Sequence, residues 1–578
     1  MIAAKLKQLN RLDSRHRGVM GKIGYVIALA ALFLGLGYNY YFTYDYVHVT
    51  IDKGVIRGFK TTTWRGVPFF SFKGIPYAQP PLGKLRFKAP QEETAWSGVR
   101  DAVSHGSICP QLDVALPILR GDEDCLFINV YTPSLGSERL SVMFWIHGGG
   151  FEQGSANDEI YGPDYFMGTG VILVTVNYRL GALGFLSSGD DDAPGNTGLK
   201  DQAAALRWVK RNIARFGGDP ENVTIFGESA GSACVHYHIL SPMSAGLFSR
   251  AIGQSGSSLN NWAHTNDGAA VTIRLAEYLG AKNLGQNTKR AVDFLRTAPY
   301  SDIVKAQQAL KTPEEVRIRK AFLFVPTVEK GVKSEEVFMP DSPLNLLKSG
   351  NFNKVPFITG YNSHEGYFFT KAIAKPEIRK MALEDTERYV PQDIKNEVLR
   401  NELATSIRKF YFKDKPVHPD KIDDFVNLHS DITFIAGTNL VVKLLLRHSQ
   451  APIYYYVFEY TGKLNLVKFM LWIEHLPGAS HGDDLGYLFY QRILFWRKPV
   501  AGSDDEHVIN TMIRLWTNFA KYGNPTPNED PLTWKPVTLD EFNFLNISGR
   551  DTRLQINPNH ERVRFWDEAY QKSTIIDY

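Results

Sequence analysis

The chain has few cysteines and little net charge for its 578 residues. Three cysteines allow at most one intrachain disulfide. A net charge of +4 is too small at this size to indicate a nucleic-acid partner. Internal repeats, low-complexity tracts and long linkers are also absent, which favours one large domain. With 44% hydrophobic and 22% charged residues, the composition is that of a globular protein with a sizeable core.

Charge is also missing from one continuous stretch near the start. Residues 1–22 carry six Lys or Arg against one Asp, whereas Ile23–Tyr44 has no charged residue and ends in tyrosines. These 22 residues match the length of a membrane span with an aromatic belt. A signal anchor is favoured over a cleaved signal peptide or a buried helix. It would leave residues 1–22 in the cytosol and residues 45–578 lumenal or extracellular, or secreted if the segment is cleaved.

Translocation bears on the cysteines and on two possible glycosylation sites. In an oxidising compartment Cys109 and Cys125 are expected to form a disulfide that closes a small loop. Cys234 is then left over and is expected to be buried and inert. Asn222 and Asn546 begin Asn-x-Thr and Asn-x-Ser acceptor sequences for glycosylation.

From about residue 125 onward, apolar strands alternate with amphipathic helices. Val142–Ile146 and Val171–Asn177 have the continuous apolar character of strands that are buried on both faces. Apolar residues recur at helical spacing from Gly198 to Phe216. The pattern predicts an α/β fold with a mostly parallel central sheet and helices on both faces.

One strand leads into a Gly-x-Ser-x-Gly motif. Val223–Phe226 is apolar and β-branched, the motif Gly227–Gly231 follows, and the next nine residues are compatible with a helix. Strand, tight turn and helix form the context of a nucleophile elbow, which makes Ser229 the candidate nucleophile. A second match, Gly478–Gly482, follows Pro477, which argues against a central strand there.

A glycine-rich stretch offers donors for an oxyanion. His147-Gly-Gly-Gly-Phe151 directly follows the strand Val142–Ile146, where an oxyanion loop lies in hydrolases of this class. Glycines let backbone N–H groups approach a developing negative charge without a β-carbon in the way. The expected donors are the amides of Gly149, Gly150 and Ala230.

The serine also needs a base and an orienting carboxylate, which in this fold class follow it in the chain. His481 lies in a turn beyond the last long strand, and Glu365 follows the strand that begins at Val355. Sequence logic alone leaves His475 and Asp483 as rivals for these roles.

Ordered motifs along nearly the whole chain resemble the type-B carboxylesterases of the cholinesterase/carboxylesterase family, and most resemble the insect α-esterases. The matching stretches include Glu123–Leu126, His147–Phe151, Phe216–Pro220, Phe226–Gly231, Gln254–Gly256 and His481–Asp484. The resemblance implies the α/β-hydrolase fold and a triad of Ser229, Glu365 and His481. It also implies oxyanion donors at Gly149, Gly150 and Ala230, and an acyl-pocket residue at Trp262.

The implied function is hydrolysis of small-molecule carboxylic esters through an acyl-serine intermediate, without metal or cofactor. Phe151, Trp262 and Glu228 are expected to contact the substrate, with Phe322 and Phe324 as further apolar candidates. No signal for an oligomeric state is evident.

Three alternatives to a general esterase differ in what they require. A cholinesterase needs an aromatic face for the cation, but no aromatic residue lies between Cys109 and Cys125. Juvenile hormone esterases usually have Gln before the serine, where this chain has Glu228. A catalytically dead adhesion protein would have lost triad residues, which this chain keeps. Neutral, apolar esters are therefore the predicted substrates.

Overall fold

Apolar runs in the sequence form the middle of one large sheet. The computed structural model describes residues 45–113, 118–373, 375–415, 417, 422–528 and 530–573. The strands in this part of the chain are β1 (Asp45–Ile51), β2 (Gly54–Thr62), β3 (Pro68–Pro76), β4 (Val99–Asp101), β5 (Gln111–Leu112), β6 (Leu119–Arg120), β7 (Phe127–Thr132), β8 (Leu140–Ile146), β9 (Val171–Val176), β10 (Gly218–Glu228), β11 (Arg250–Gln254), β12 (Phe357–Asn362), β13 (Ile453–Phe458), β14 (Asn543–Ile547) and β15 (Arg553–Ile556).

Thirteen of these strands pair in the order β1-β2-β3-β7-β9-β8-β10-β11-β12-β13-β14-β15, with β4 beside β2, while β5 and β6 form a separate ribbon. The strands from β9 through β8 to β14 run parallel to their neighbours. Strands β3, β7 and β15 pair antiparallel nearer the edges. The carboxyl ends of the parallel strands therefore lie at one edge of the sheet, the usual place for a site in such folds.

Helices fill most of the intervals between strands. Their bounds are α1 (Gly181–Phe185), α2 (Thr197–Asn212), α3 (Ala230–Leu240), α4 (Gly268–Tyr278), α5 (Thr288–Thr297), α6 (Tyr300–Ala309), α7 (Pro313–Arg317), α8 (Pro343–Ser349), α9 (Thr370–Ile373), α10 (Pro376–Glu384), α11 (Glu397–Phe412), α12 (Asp423–Ser430), α13 (Ala436–His448), α14 (Leu466–Leu471), α15 (Asp504–Tyr522) and α16 (His560–Lys572). A π-helical segment, Asp431–Ile435, joins α12 to α13.

The sheet separates two apolar cores. Strand β8 is buried along most of its length, and its side chains alternate between the faces as the pleat requires. Phe144 lies in one core with residues of α2, α3 and α13, whereas Trp145 lies in the other with residues of α15. A third, smaller core joins α10, α11 and α12 to α16. The predicted α/β architecture with helices on both faces is confirmed.

The start of β10 differs from the sequence-based expectation, and the predicted anchor is not tested by the structure. Strand β10 begins at Gly218 rather than at Val223, because Gly218 pairs with Leu140 before a register shift. The predicted anchor at residues 23–44, with the lead 1–22, lies outside the described residues. Within the described part, none of the helices combines the length and the apolar character that crossing a bilayer requires.

Candidate active site

Ser229 occupies a sharp turn between β10 and α3. Its backbone has φ 58° and ψ −122°, a conformation that costs about 1–3 kcal/mol for a residue with a side chain. The flanking glycines are needed for space. A β-carbon on Gly231 would lie 2.1 Å from the carbonyl oxygen of Ile146, and one on Gly227 would lie 2.6 Å from the same atom. The turn therefore holds the serine hydroxyl out at the carboxyl edge of the sheet.

His481 and Glu365 meet Ser229 at this edge. His481 Nε2 lies 2.9 Å from Ser229 Oγ, and His481 Nδ1 lies 2.7 Å from Glu365 Oε2. The fully buried carboxylate also accepts a 2.7 Å hydrogen bond from the backbone N–H of Asn362. An ionised carboxylate only accepts hydrogen bonds, so Nδ1 carries the proton that faces Glu365, and in the neutral form of the ring Nε2 is the nitrogen left to accept the serine proton.

Two buried aspartates position the segment that carries His481. Asp484 accepts hydrogen bonds from Gln254 Nε2 at 2.7 Å and from Asn362 Nδ2 at 3.2 Å, which ties the segment to β11 and β12. Asp483 accepts from the backbone N–H of Ser480 at 2.7 Å. Neither aspartate is hydrogen-bonded to the imidazole in the described structure, whereas Glu365 contacts Nδ1 at 2.7 Å and Glu228 contacts Nε2 at 3.2 Å.

Carboxylates near the imidazole raise the pKa of His481. Burial acts to lower it, but the charges of Glu228, Glu365 and Asp484 outweigh burial and bring the pKa to about 9. Burial raises the pKa of Glu228 itself to about 8, and its Oε1 lies 3.2 Å from His481 Nε2. The two groups therefore titrate together, and the site favours an imidazolium.

The two rivals lie apart from this constellation. His475 is exposed on the surface. The carboxylate of Asp483 accepts hydrogen bonds from the backbone N–H groups of Val467 at 2.9 Å and Lys468 at 3.2 Å, in addition to that of Ser480. Burial raises its pKa to about 7. The structure thus brings Ser229, His481 and Glu365 together and leaves His475 and Asp483 outside.

The glycine-rich stretch after β8 folds against the elbow. Gly149 and Gly150 have φ values of 110° and 65°, which favour glycine. A β-carbon on the preceding Gly148 would lie 3.1 Å from the Ser229 side chain. Ala230 is the first residue of α3, so its N–H points out of the helix without an intrahelical acceptor. The glycine-rich loop at Gly148 and the first amide of α3 therefore both lie beside Ser229.

An aromatic cluster lines the other side of the site. Trp262 is 6% exposed, and its ring centroid lies 6.0 Å from that of Phe151 and 6.4 Å from that of Phe322. Phe324, the other apolar candidate, is buried. Trp262 Nε1 donates a 2.8 Å hydrogen bond to the carbonyl oxygen of Thr433, which satisfies its polar atom. The indole N–H of Trp262 is therefore already hydrogen-bonded, and the cluster presents apolar ring surface to the site.

Phe434 is a residue that the sequence analysis missed. Its ring stacks on the His481 imidazole with centroids 4.2 Å apart, and it lies 6.1 Å from the Trp262 ring. It belongs to the π-helical segment Asp431–Ile435, in a helix-rich stretch without a motif. A short π segment often marks a functional site, but it is visible only in the folded chain.

The disulfide forms as predicted, and both acceptor asparagines make side-chain hydrogen bonds. Cys109 and Cys125 form the predicted disulfide, and Cys234 is buried and free. Asn222 donates to Ser141 Oγ at 2.8 Å, and Asn546 donates to Glu459 Oε2 at 2.9 Å. Glycosylation of either asparagine stays a prediction, and it would replace one of the two Nδ2 hydrogens.

One group of candidate metal ligands occurs in the described part of the chain, namely His105, Asp158 and Glu159. Asp158 already accepts hydrogen bonds from Lys73 Nζ at 2.9 Å and from His105 Nε2 at 2.8 Å. A lysine ammonium in this position repels a metal cation and neutralises the carboxylate. The group is therefore built as an ion-pair network.

Comparison with known proteins agrees with the geometry. The model of the carboxylesterase family matches residues 45–566. The chain is 37% identical to a juvenile hormone esterase of Tribolium castaneum, over 88% of each chain. It is 36% identical to esterase FE4 of Myzus persicae, over 92% of this chain and 94% of the relative.

A solved structure adds the fold. The crystal structure of juvenile hormone esterase from Manduca sexta, with OTFP covalently attached, superposes with a TM-score of 0.81 at 28% identity. The match covers 91% of this chain and all of that one. The α/β-hydrolase fold, the family match and the named esterases agree, and the chain therefore belongs to the carboxylesterase family and is a carboxylic-ester hydrolase.

Proposed function

We propose that Ser229 attacks the ester carbonyl while His481 removes its proton. The new Oγ–C bond gives a tetrahedral intermediate whose oxyanion is held by the amides of Gly149, Gly150 and Ala230. His481 then returns the proton to the leaving alcohol as the C–O bond breaks, and an acyl-serine remains. Water, activated by the same histidine, releases the acid and restores the serine. Glu365 keeps the imidazole in the required tautomer throughout.

The observation that carries this assignment is the unbroken hydrogen-bonded chain from Ser229 Oγ through His481 to Glu365 Oε2, with links of 2.9 and 2.7 Å. Distances of this size are those at which a base activates a serine. The neighbouring carboxylates support the imidazolium that forms when the serine loses its proton.

Neutral, apolar esters are the proposed substrates. The acyl side is bounded by Phe151, Trp262 and Phe434, and the centroid of the Trp262 ring lies 6.0 Å from that of Phe151 and 6.1 Å from that of Phe434. A quaternary ammonium would find no aromatic side chain in the sequence between Cys109 and Cys125. Glu228 is a weak substitute as a cation partner, because its Oε1 already lies 3.2 Å from His481 Nε2.

A juvenile-hormone-type activity is the second candidate. Relatives with that name match nearly the whole chain in sequence and in fold. Glu228 takes the place of their usual Gln, and its carboxyl group lies 3.2 Å from His481 Nε2. The residue before the serine therefore favours a general esterase over this specialised one.

A panel of esters tests the substrate class. Naphthyl butyrate and nitrophenyl acetate are expected to be hydrolysed with a kcat/KM at least about tenfold above that of acetylthiocholine, the equivalent of ~1.4 kcal/mol. A preference for acetylthiocholine would contradict the neutral-ester proposal. An apolar, long-chain methyl ester preferred over both short esters would favour the specialised activity. An organophosphate is expected to label Ser229, mapped by peptide mass spectrometry.

We also propose that residues 23–44 anchor the catalytic domain 45–578 to a membrane, with the domain lumenal or extracellular. The support is the uncharged run behind six basic residues and one acidic residue. Full-length protein is expected to resist extraction by alkaline carbonate. Mature protein that begins near Tyr38 would instead show a cleaved signal peptide.

A further inference from the structure

Two segments beside the His481 turn expose apolar side chains to solvent. One is α14 with the residue after it, and the other is Arg492–Val500. Trp472 is 67% exposed, Phe495 53% and Trp496 48%. We define the aromatic face as these three residues with the exposed Met470, Ile493 and Val500. Trp472 and Trp496 are the exposed tryptophans among all ten in the chain, so the face concentrates a residue that is otherwise buried or half-buried.

Arg497 joins the two segments into one surface. Its guanidinium carbon lies 3.9 Å from the centroid of the Phe469 ring. Its Nη1 donates to the carbonyl oxygen of Lys463 at 2.8 Å and pairs with Glu474 Oε1 at 2.7 Å. These contacts of Arg497 hold the two segments side by side, so the aromatic face is one continuous surface.

The aromatic face adjoins the catalytic site. Asp483, two residues after His481, accepts a 2.9 Å hydrogen bond from the backbone N–H of Val467 in α14. Helix α14 also lies beside the turn Glu365–Phe369. In that turn Phe368 is 50% exposed, and its ring meets the His481 imidazole edge-on at 5.6 Å. The turn beside α14 thus carries an exposed phenyl ring that contacts the catalytic histidine.

The two segments of the aromatic face contain basic residues and no acidic ones. Neither 463–473 nor 492–500 contains Asp or Glu. Lys463 and Lys498 are exposed beside the apolar side chains, as is Arg492, whose guanidinium pairs with Asp164 at 3.0 Å. The nearest acidic residue in sequence, Glu474, is paired with Arg497. Exposed Trp and Phe flanked by Lys and Arg are the combination that binds the interface of anionic membranes.

We propose that the aromatic face docks onto an anionic lipid surface. Trp472, Phe495 and Trp496 enter the headgroup region, and Lys463 and Lys498 meet the lipid charges. In the docked orientation, the route by which a substrate passes Phe368 to reach His481 opens toward the lipid phase. Given the proposed activity on apolar esters, the enzyme would then receive lipid-dissolved esters without their passage through water.

Tryptophan fluorescence tests docking in the full chain. No tryptophan precedes Trp64, so the emission reports on the folded domain and not on the apolar run 23–44. Vesicles are made from phosphatidylcholine brominated on its acyl chains, with and without about one third phosphatidylserine. We expect quenching that is stronger with the anionic lipid and that falls as salt is raised. Trp472→Phe with Trp496→Phe is expected to remove it.

Charge and apolar variants test the same surface. Lys463→Gln and Lys498→Gln are each expected to lower the ratio of docked to undocked protein about fivefold, since one basic residue near such a surface contributes ~1 kcal/mol. Phe495→Ser is expected to lower it further. The matched control is Tyr278→Ser with Lys282→Gln, an exposed aromatic and an exposed lysine at the end of α4, which should leave quenching unchanged.

Three results decide whether the aromatic face binds lipid. Absent quenching with anionic vesicles, or quenching that survives in the Trp472→Phe/Trp496→Phe variant, would overturn the proposal. A dimer that Phe495→Ser dissociates, without lipid quenching, would overturn it in favour of a second copy of this chain. Ser229→Ala is expected to dock like the wild type, so docking can be judged even if the assignment of the catalytic serine fails.

Discussion

The two Gly-x-Ser-x-Gly segments of this chain have the same pattern and opposite structures. Gly227–Gly231 joins a central strand to a helix, and its serine takes the positive φ. Gly478–Gly482 follows a proline in a loop. There the two glycines, and not the serine, have positive φ values, 69° and 76°. The first segment needs glycine for space and strains its serine, whereas the second needs glycine for backbone freedom and leaves its serine relaxed.

The surroundings of the two serines follow this difference. Ser229 Oγ faces the imidazole, while Ser480 Oγ is buried and has no hydrogen-bond partner in the described structure. Ser480 contributes its backbone instead, since its carbonyl oxygen accepts a 2.7 Å hydrogen bond from Asn362 Nδ2. One segment presents the proposed nucleophile, and the other presents the histidine that follows its serine. The strand before the motif, rather than the motif, decides which.

The largest expected effect separates the two serines. Ser229→Ala should lower kcat on naphthyl acetate by ~10⁴-fold or more, because the attacking atom is lost and only the oxyanion hole and binding remain. Ser480→Ala removes a hydroxyl with no partner and should change kcat by less than about threefold. Equal losses in the two variants would contradict the comparison.

Histidine variants extend the comparison to the second segment. His481→Gln should lose activity to an extent similar to Ser229→Ala, since the serine then has no base. The exposed His475 lies six residues earlier, and His475→Gln is the matched control that should keep wild-type kcat. Full activity of His481→Gln would rule out the assigned base.

Alanine at the last glycine of each segment tests the two roles of glycine. In Gly231→Ala the new β-carbon would meet a backbone oxygen at 2.1 Å, so we expect a loss of stability above about 3 kcal/mol or failure to fold. In Gly482→Ala the nearest atom would lie 3.5 Å away, and only the positive φ costs about 1–2 kcal/mol. Melting temperatures at one scan rate would compare them, and a more stable Gly231→Ala than Gly482→Ala would reverse the interpretation.

The smallest expected effect is a shift in pH dependence, caused by the charge of Glu228, in the first segment, on His481 in the second. Glu228 precedes Ser229, and its charge helps to raise the pKa of His481 to about 9. Because the base works when deprotonated, a raised pKa moves the acid limb of kcat/KM to higher pH than about 6.5. Glu228→Gln should therefore shift that limb to lower pH, while the exposed Glu474→Gln should not. An unchanged limb in Glu228→Gln would show that the two groups are not coupled.

Local signals were sufficient for some of these features. Short stretches with a strong apolar or glycine pattern predict the strands β8 and β9, the elbow at Ser229 and the glycine-rich loop 147–151. Glu365 and His481 follow Ser229 by more than a hundred residues and needed the family resemblance to be preferred over rivals. Their partners across the sheet edge, such as Asp484 with Gln254, are set by tertiary contacts that no local pattern contains.

The aromatic face and Phe434 show why the rest stayed hidden. An exposed tryptophan and a buried one look alike in a sequence, so Trp472 carried no signal before its exposure was known. Strand β10 began five residues early because pairing with Leu140 recruited Gly218 into the sheet. Propensity argues against a strand at Gly-Asp-Pro, but sheet pairing prevailed there.

The π-helical segment Asp431–Ile435 makes the acyl side of the site sensitive to chain length. A π turn contains one more residue than an α turn, so deletion of one residue there restores a regular helix. Each residue of an α-helix turns by ~100°, and the deletion would rotate Phe434 away from the imidazole by about that angle. The strands that carry Ser229 and Glu365 would not move. A single codon lost in this helix is thus a route by which descendants of this esterase can change substrate while keeping their catalytic chemistry.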